Sequence, residues 1–201
     1  MATIRPFKGF RPTPELCSKV AALPYDVMTS KEAREMVKND PYSFLHVDRA
    51  EIDLPENVDI YSKEVYEKAA SNLNKMIEDK VLIQDNKPVF YIYSLTMNGR
   101  EQIGLVVCTS IDEYLNNTIK KHEFTRADKE QDRINHVDYC NANTGPIFLT
   151  YKNQKTIDQI ISKEIEKAPI YDFISEDKVE HKVWLIDCLL YTSPSPRDKR
   201  Q

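Results

Sequence analysis

The stretch Ile119–Arg133, which reads IKKHEFTRADKEQDR, concentrates the side chains of this 201-residue chain that could do chemistry. If it is helical from residue 126, Arg126, Lys129 and Arg133 share one face, because a helix turns by about 100° per residue. Lys121 precedes that helix and would lie near its N-terminal N–H groups, where anions bind readily. The residue types and their spacing therefore predict a site for phosphate or a similar anion.

A solvated helix face explains the same residues. Glu130 lies within one turn of both Lys129 and Arg133, so it could neutralise them at the surface. The order HEFTR at His122–Arg126 lacks the second histidine of the zinc-binding pattern HExxH, so a metal-ligating histidine is not expected here. From the residues alone, an anion site and an ordinary charged surface both stay open.

The element that must position these cations is a helix from Arg126 to about Cys140. Thr125 followed by Asp128 fits a capping box, which favours a helix start at this point. An apolar arc on this helix would face the core, and the cations would lie at its edge. That arc consists of Ala127, Ile134 and Val137.

The remaining pattern predicts an α+β fold with a mixed sheet and several packing helices. Two further capping boxes predict helix starts. Thr29 with Glu32 predicts a helix over Ser30–Asn39, and Ser110 with Glu113 predicts one over Ile111–Asn116. A strongly amphipathic helix is predicted after Ser62, and another helix near Ile157–Lys167. Asn98-Gly99 predicts a β-hairpin. Its second strand contains the apolar run IGLVVC and is therefore expected at the centre of the sheet. Further strands are expected at Tyr42–Val47, Pro146–Tyr151 and Lys178–Ile186.

Composition excludes several classes of protein. No segment approaches the ~18 apolar residues that a membrane span needs, and the formal net charge of −4 argues against general nucleic-acid binding. The glycine-rich phosphate loops of nucleotide-binding folds are absent, so side chains and helix termini would have to bind any phosphate. The four cysteines show no metal-site or disulfide spacing, and we expect a cytoplasmic protein.

The last fourteen residues, CLLYTSPSPRDKRQ, do not continue the preceding pattern. One codon choice for Cys188–Asp198 reproduces a transposase adapter used in sequencing libraries. We therefore expect residues 188–201 to be a non-native tail, and residues 1–187 to be the truncated N-terminal part of a single enzyme-like domain. We also expect the final strand, Lys178–Ile186, to leave an exposed edge because its partners would be missing.

The strings KKHEFTRADKEQDR and NANTGPIFLTY resemble a prokaryotic family long catalogued as a domain of unknown function. RPFKGFRP, LPYDVMTSKEAR, SFLHVDRAEIDLPE and NGREQIGLV match it as well, so the resemblance runs from Arg5 to Leu185. Complete members carry a downstream Asp-Gly-His-His-Arg motif similar to that of free L-serine kinases of the ParB/sulfiredoxin-like group. This sequence ends before that motif, so we expect it to be inactive by itself.

The resemblance implies a small-molecule phosphotransferase, with L-serine as the candidate substrate, pyrophosphate or a nucleotide as phosphoryl donor, and Mg²⁺. The alternative is a nucleotide-binding regulatory module without catalysis. Neither nucleic acid nor a membrane is an expected partner. The roles that follow are catalysis by Glu123, Asp26 and His122, phosphate or substrate binding by Lys121, Thr125, Arg126, Lys129 and Arg133, and metal binding by Asp132.

Overall fold

The computed structural model describes residues 2–122 and 125–187. The strands are β1 (Ile4–Arg5), β2 (Phe10–Pro12), β3 (Leu82–Gln84), β4 (Val89–Met97), β5 (Arg100–Val106), β6 (Cys108–Thr109), β7 (Tyr171–Ile174) and β8 (Glu180–Asp187). The helices are α1 (Cys17–Val20), α2 (Ser30–Val37), α3 (Leu45–Asp48), α4 (Lys63–Glu78), α5 (Ile111–Leu115), α6 (Ala127–Cys140) and α7 (Lys155–Glu164), with a 3₁₀ turn at Ala50–Asp53. This confirms the predicted α+β class.

The chain divides into two compact units. The first, unit 1, comprises Met1–Arg11, Gln84–Lys121 and Lys152–Gln201. The second, unit 2, comprises Pro12–Ile83 and His122–Tyr151. Each unit is described separately below.

Unit 1 contains an antiparallel sheet with strand order β5-β4-β8-β7. Its core joins Ile92 of β4 to Trp184 of β8, and the partly buried Ile160 and Ile161 of α7 pack against them. The predicted hairpin is confirmed, with left-handed φ angles of 52° at Asn98 and 76° at Gly99, as a type I′ turn requires.

Two expectations about this sheet were wrong. The strand containing IGLVVC is not central, because β5 lies at one edge, and β4 and β8 occupy the two interior positions. The last strand has no exposed edge, since β8 pairs with β4 on one side and with β7 on the other. Strand β7, which the sequence did not predict, supplies the second partner. Residues 188–201, the expected non-native tail, lie outside the described residues.

Unit 2 is organised around α4. Its apolar stripe, which includes Ala69, Leu73 and Met76, is buried against Val47 as predicted from its periodicity. The capping box of α2 is also confirmed, because Thr29 Oγ1 accepts from the Glu32 N–H and the Glu32 carboxylate accepts from the Thr29 N–H. These local signals fix the helices that carry the charged segments.

Two predicted strands of unit 2 are wrong. The end of Tyr42–Val47 is the helical turn α3, whose backbone N–H groups bond to carbonyls three or four residues earlier. A short apolar run of this length does not distinguish strand from helix by periodicity. Pro146–Tyr151 forms no regular element, and Ile147 and Phe148 are 73% and 76% exposed. No sheet lies alongside to bury them among the described residues of this unit.

Two predicted capping boxes are also wrong, although both helices form. At α5 the Ser110 side chain makes no capping bond, and the Glu113 carboxylate instead accepts from the N–H and hydroxyl of Thr3, each at 2.7 Å. At α6 the N-cap is Arg126, without a side-chain capping bond, and Asp128 pairs with its guanidinium at 2.8 Å. In each case the carboxylate has a stronger partner than the helix terminus.

Candidate functional site

Helix α6 packs with a polar stripe toward the core. Asp132, His136 and Cys140, spaced four residues apart, are its buried residues. The predicted apolar arc faces outward, with Ile134 46% and Val137 39% exposed. At about 100° per residue the buried stripe lies roughly half a turn from that arc, so the predicted orientation of the helix was wrong. Hydrogen-bonding partners on the neighbouring segments explain the reversal.

Asp132 is one of these polar anchors. Its Oδ1 accepts from the Tyr66 hydroxyl of α4 at 2.9 Å. Its Oδ2 accepts from Nε and Nη2 of Arg133, at 3.1 and 2.9 Å. Both carboxylate oxygens thus have protein partners, and no group of three or more potential metal ligands occurs within the described part of the chain. Asp132 therefore positions Arg133 and Tyr66 in this arrangement, and its predicted metal role finds no support here.

His136 is the second anchor. Its Nε2 lies 3.1 Å from the Val47 carbonyl oxygen, which can only accept, so Nε2 carries a proton. Its Nδ1 faces the Cys140 thiol at 3.8 Å and the Thr144 hydroxyl at 3.5 Å. Burial raises the pKa of Cys140 to about 11, so this thiol stays protonated at neutral pH. The histidine thus links α6 to the end of α3.

A small pocket lies beside this stripe within unit 2. It has a cavity volume of about 60 Å³, compared with roughly 10–15 Å³ needed by one water. Its wall combines α3, the 3₁₀ turn, α4 and α6. The charged residues that line it are three cations and three carboxylates, namely Arg49, Lys129, Arg133, Asp48, Glu51 and Asp132.

Two of the predicted phosphate ligands, Lys129 and Arg133, line this pocket, and tyrosines position both. Lys129 Nζ donates to the Tyr61 hydroxyl at 2.5 Å, and this hydrogen bond raises the pKa of Lys129. The Arg133 guanidinium carbon lies 4.4 Å from the ring centroid of Tyr25, a cation–π contact. The two cations are therefore held at the pocket by aromatic side chains.

Arg49 is a pocket cation that the sequence reasoning missed. It donates from Nη1 to the Tyr25 carbonyl at 2.9 Å and from Nη2 to Ser30 Oγ at 2.8 Å. Its Nε lies 2.8 Å from Glu51 Oε1, which also accepts from Ser30 Oγ at 2.9 Å. The available signal was the charged run Asp-Arg-Ala-Glu at Asp48–Glu51, inside a string that resembles the family.

A second cavity of about 310 Å³ shares Glu51 and Ile60 with the first. Its wall includes Lys31 and Arg34 of α2 and Glu56 of the loop that follows the 3₁₀ turn. The Arg34 guanidinium donates to the carbonyls of residues 51, 52 and 54, so it also holds this loop in place. Unit 2 thus contains two neighbouring cavities with charges of both signs.

Those of the other predicted site residues that the structure describes do not line these cavities. Asp26, His122 and Thr125 are exposed. Arg126 is also exposed and pairs with Asp128, while Lys121 belongs to unit 1, where its Nζ lies 4.6 Å from the Tyr114 ring centroid. Glu123 lies outside the described residues. The structure therefore groups Lys129, Asp132 and Arg133 from the predicted set.

Comparison with known proteins identifies one family. A family model described as "Protein of unknown function (DUF1015)" matches residues 4–189. Searches of curated proteins and of solved structures gave no match. Among the described residues, no helix combines the length and apolar character needed to cross a membrane.

Proposed function

The chain belongs to the DUF1015 family, and we propose that it is a small-molecule phosphotransferase whose pocket in unit 2 binds phosphate oxygens. Phosphoryl transfer depends on cations that neutralise the charge of the transferred group and on a carboxylate that orients the attacking hydroxyl. The pocket lined by Arg49, Lys129 and Arg133 supplies three such cations. A buried carboxylate, Asp132, orients one of them.

The convergence of these cations is the observation that carries the proposal. Arg133 has five N–H donors, and the two hydrogen bonds to Asp132 leave three for a ligand. Two N–H groups of Arg49 stay free after its bonds to Tyr25 and Ser30 and its contact with Glu51. One guanidinium group can bind two phosphate oxygens through parallel N–H···O hydrogen bonds. Arg49 and Arg133 lie more than eighty residues apart in sequence, and both line this pocket.

The volume of the pocket favours a small phosphate ligand. A cavity of about 60 Å³ offers space for a phosphate group, several times the volume that one water needs. Pyrophosphate is the simplest donor to test there, and a nucleotide could place its phosphates at the same cations. The neighbouring cavity of about 310 Å³ offers space and mixed charge for a small amino acid, in line with the L-serine that the resemblance implies.

Mg²⁺ enters the proposal together with the donor. Mg²⁺ is usually held by one or two carboxylates and by substrate phosphates rather than by a cage of protein ligands. Glu51 lines the pocket and is the carboxylate that could reach such an ion. The metal would neutralise phosphate charge alongside the cations.

Calorimetric titration of the chain with pyrophosphate and Mg²⁺ tests the binding step. Arg133→Gln and Lys129→Gln should each weaken binding by about tenfold or more, since a hydrogen bond to a charged group contributes about 1.5–3 kcal/mol. Arg126→Gln is the matched control, because Arg126 belongs to the same motif but pairs with Asp128 away from the pocket. Equal losses in all three variants would contradict the assignment of the site.

A second experiment separates catalysis from regulation. The chain, and a longer family member with the Asp-Gly-His-His-Arg motif, are incubated with L-serine, Mg²⁺ and either pyrophosphate or ATP. Phosphorus NMR then follows the formation of phosphoserine. Binding of donor without product in either protein would reject the phosphotransferase and support the alternative, a nucleotide-binding regulatory module.

A further inference from the structure

We propose that Asp48 is the carboxylate that accepts the proton of the substrate hydroxyl, and that Thr144 and His136 position it. This inference rests on the proposed function, because it assigns a role within the same pocket. It differs from the expectation of Glu123, Asp26 and His122 as catalytic residues: Asp26 and His122 do not line the cavity, and Glu123 lies outside the described residues. Three carboxylates line the pocket wall, and they differ in their partners.

Two of these carboxylates already bind cations. Asp132 accepts three hydrogen bonds, from Tyr66 and from two nitrogens of Arg133. Glu51 faces Arg49 at 2.8 Å and accepts from Ser30 at 2.9 Å. The lone pairs of these two carboxylates are already used by protein donors, so fewer are available to accept from a substrate hydroxyl.

Asp48 differs from both. Within residues 2–122 and 125–187 it forms no ion pair within 4 Å, and the Thr144 hydroxyl donates the hydrogen bond that it accepts. Burial raises the pKa of Asp48, and the opposing effects of Thr144, His136 and Arg133 do not reverse that direction. A carboxyl whose pKa moves toward neutrality is better matched to proton abstraction at physiological pH.

The groups around Asp48 define its orientation. His136 donates from Nε2 to the carbonyl of Val47, the residue directly before Asp48, and so fixes the end of α3. Thr144 follows the C-terminus of α6, and its hydroxyl lies 3.5 Å from His136 Nδ1. The Thr144 hydroxyl has a single proton, and it donates that proton to the Asp48 carboxylate, which can only accept. The other titratable groups around this pocket are Lys129, Asp132, Arg133 and Cys140 of α6, Tyr66 of α4, Arg49 and Glu51 of the adjoining segment, and Tyr25 and Tyr61.

In the proposed step the O–H bond of the substrate breaks, and its proton moves to an Asp48 carboxylate oxygen. The electron pair of the hydroxyl oxygen forms the new P–O bond. The phosphoanhydride P–O bond of the donor breaks, and phosphate leaves with that electron pair when pyrophosphate is the donor. Arg49, Lys129 and Arg133 stabilise the charge on the phosphoryl oxygens throughout.

Proton-linked binding tests this role independently of turnover. Pyrophosphate bound beside Asp48 should raise its pKa further, because like charges disfavour ionisation. Binding should therefore be accompanied by proton uptake, measured by calorimetry in buffers of different ionisation enthalpy over about pH 4–8. The Asp48→Asn variant should still bind pyrophosphate. Its binding should take up fewer protons than that of the unmodified chain, by at most about one, since one carboxyl binds one proton.

Asp138→Asn is the control, because Asp138 is an exposed carboxylate of α6, and the proton uptake of this variant should equal that of the unmodified chain. Thr144→Val removes the donor to Asp48 and should shift the uptake to higher pH, a change that lost packing alone does not produce. Uptake unchanged in both Asp48→Asn and Thr144→Val would overturn the inference while leaving the anion site intact. No binding of pyrophosphate by the unmodified chain would reject the proposed function and this role with it.

Where turnover is measurable, Asp48→Asn should lower kcat by about 10²–10⁴-fold, the usual contribution of a general base. Its KM for pyrophosphate should change little, because Asp48 is not a phosphate ligand. A loss confined to KM would contradict the assignment.

Discussion

His46 Nδ1 lies 2.9 Å from Asp53 Oδ1, and the opposite ring nitrogen lies 3.2 Å from the Asp40 carbonyl oxygen. A carboxylate and a carbonyl can only accept, so both nitrogens carry protons and the ring is an imidazolium. Asn72 completes the cluster by donating to Asp53 Oδ2 at 2.7 Å and to the His46 carbonyl at 2.6 Å. This ion pair ties α3 to the 3₁₀ turn, the two elements that carry Asp48–Glu51.

The pair makes the stability of unit 2 depend on pH. The hydrogen bond from His46 to Asp53 raises the pKa of His46, so its stabilisation is complete below the unfolded value of about 6.5 and is lost as pH rises through the folded pKa. Burial opposes ionisation of Asp53, but the bond from His46 lowers the pKa of Asp53 overall, so its contribution is lost only in acid. Thermal unfolding between about pH 5 and 9 should show the alkaline loss, and His46→Gln should abolish it. An identical pH profile for the variant would contradict the imidazolium assignment.

The Tyr66–Asp132 hydrogen bond should contribute measurably to stability. Tyr66→Phe leaves one oxygen of a buried carboxylate without its donor, which costs about 1–3 kcal/mol. Asp132→Asn should cost at least as much, because Arg133 then loses its charged partner. Urea unfolding of both single variants and of the double variant measures the coupling, and strictly additive losses would show that the bond does not form.

The orientation of α6 is testable by substitutions on opposite faces. Ile134→Gln, on the exposed face, should change the free energy of unfolding by less than about 0.5 kcal/mol. His136→Leu, on the buried face, should cost about 1–3 kcal/mol because the Val47 carbonyl loses its donor. The reverse ranking would indicate the orientation expected from the sequence.

The hairpin of unit 1 offers a comparison between two glycines. Gly99 adopts a φ of 76° in the turn, so Gly99→Val should destabilise the protein by about 1–3 kcal/mol. Gly104 lies in edge strand β5, and a Cβ placed there would meet no atom within 4 Å, so Gly104→Val should be neutral or slightly stabilising. Unfolding in urea at one pH gives both values, and a larger loss at Gly104 would contradict the strand assignment.

The sequence by itself determined the elements that depend on local interactions. The apolar period of α4, the capping box at Thr29 and the turn at Asn98-Gly99 each involve residues within a few positions of one another, and all three are confirmed. It also singled out Lys129 and Arg133 as cations on one helix face. A turn, a cap and a helix stripe need no distant partner, which explains why these predictions held.

Only the tertiary structure decided which face of α6 is buried and where the cations point. The polar stripe turns inward because Tyr66 and the Val47 carbonyl, which lie more than sixty residues away, require hydrogen-bonding partners there. The same packing brings Asp48 and Arg49 to the cavity beside Arg133. Buried polar groups need hydrogen-bonding partners, and here those partners are distant in sequence. Apolar periodicity within the helix does not include them, so it predicted a buried face about half a turn from the observed one.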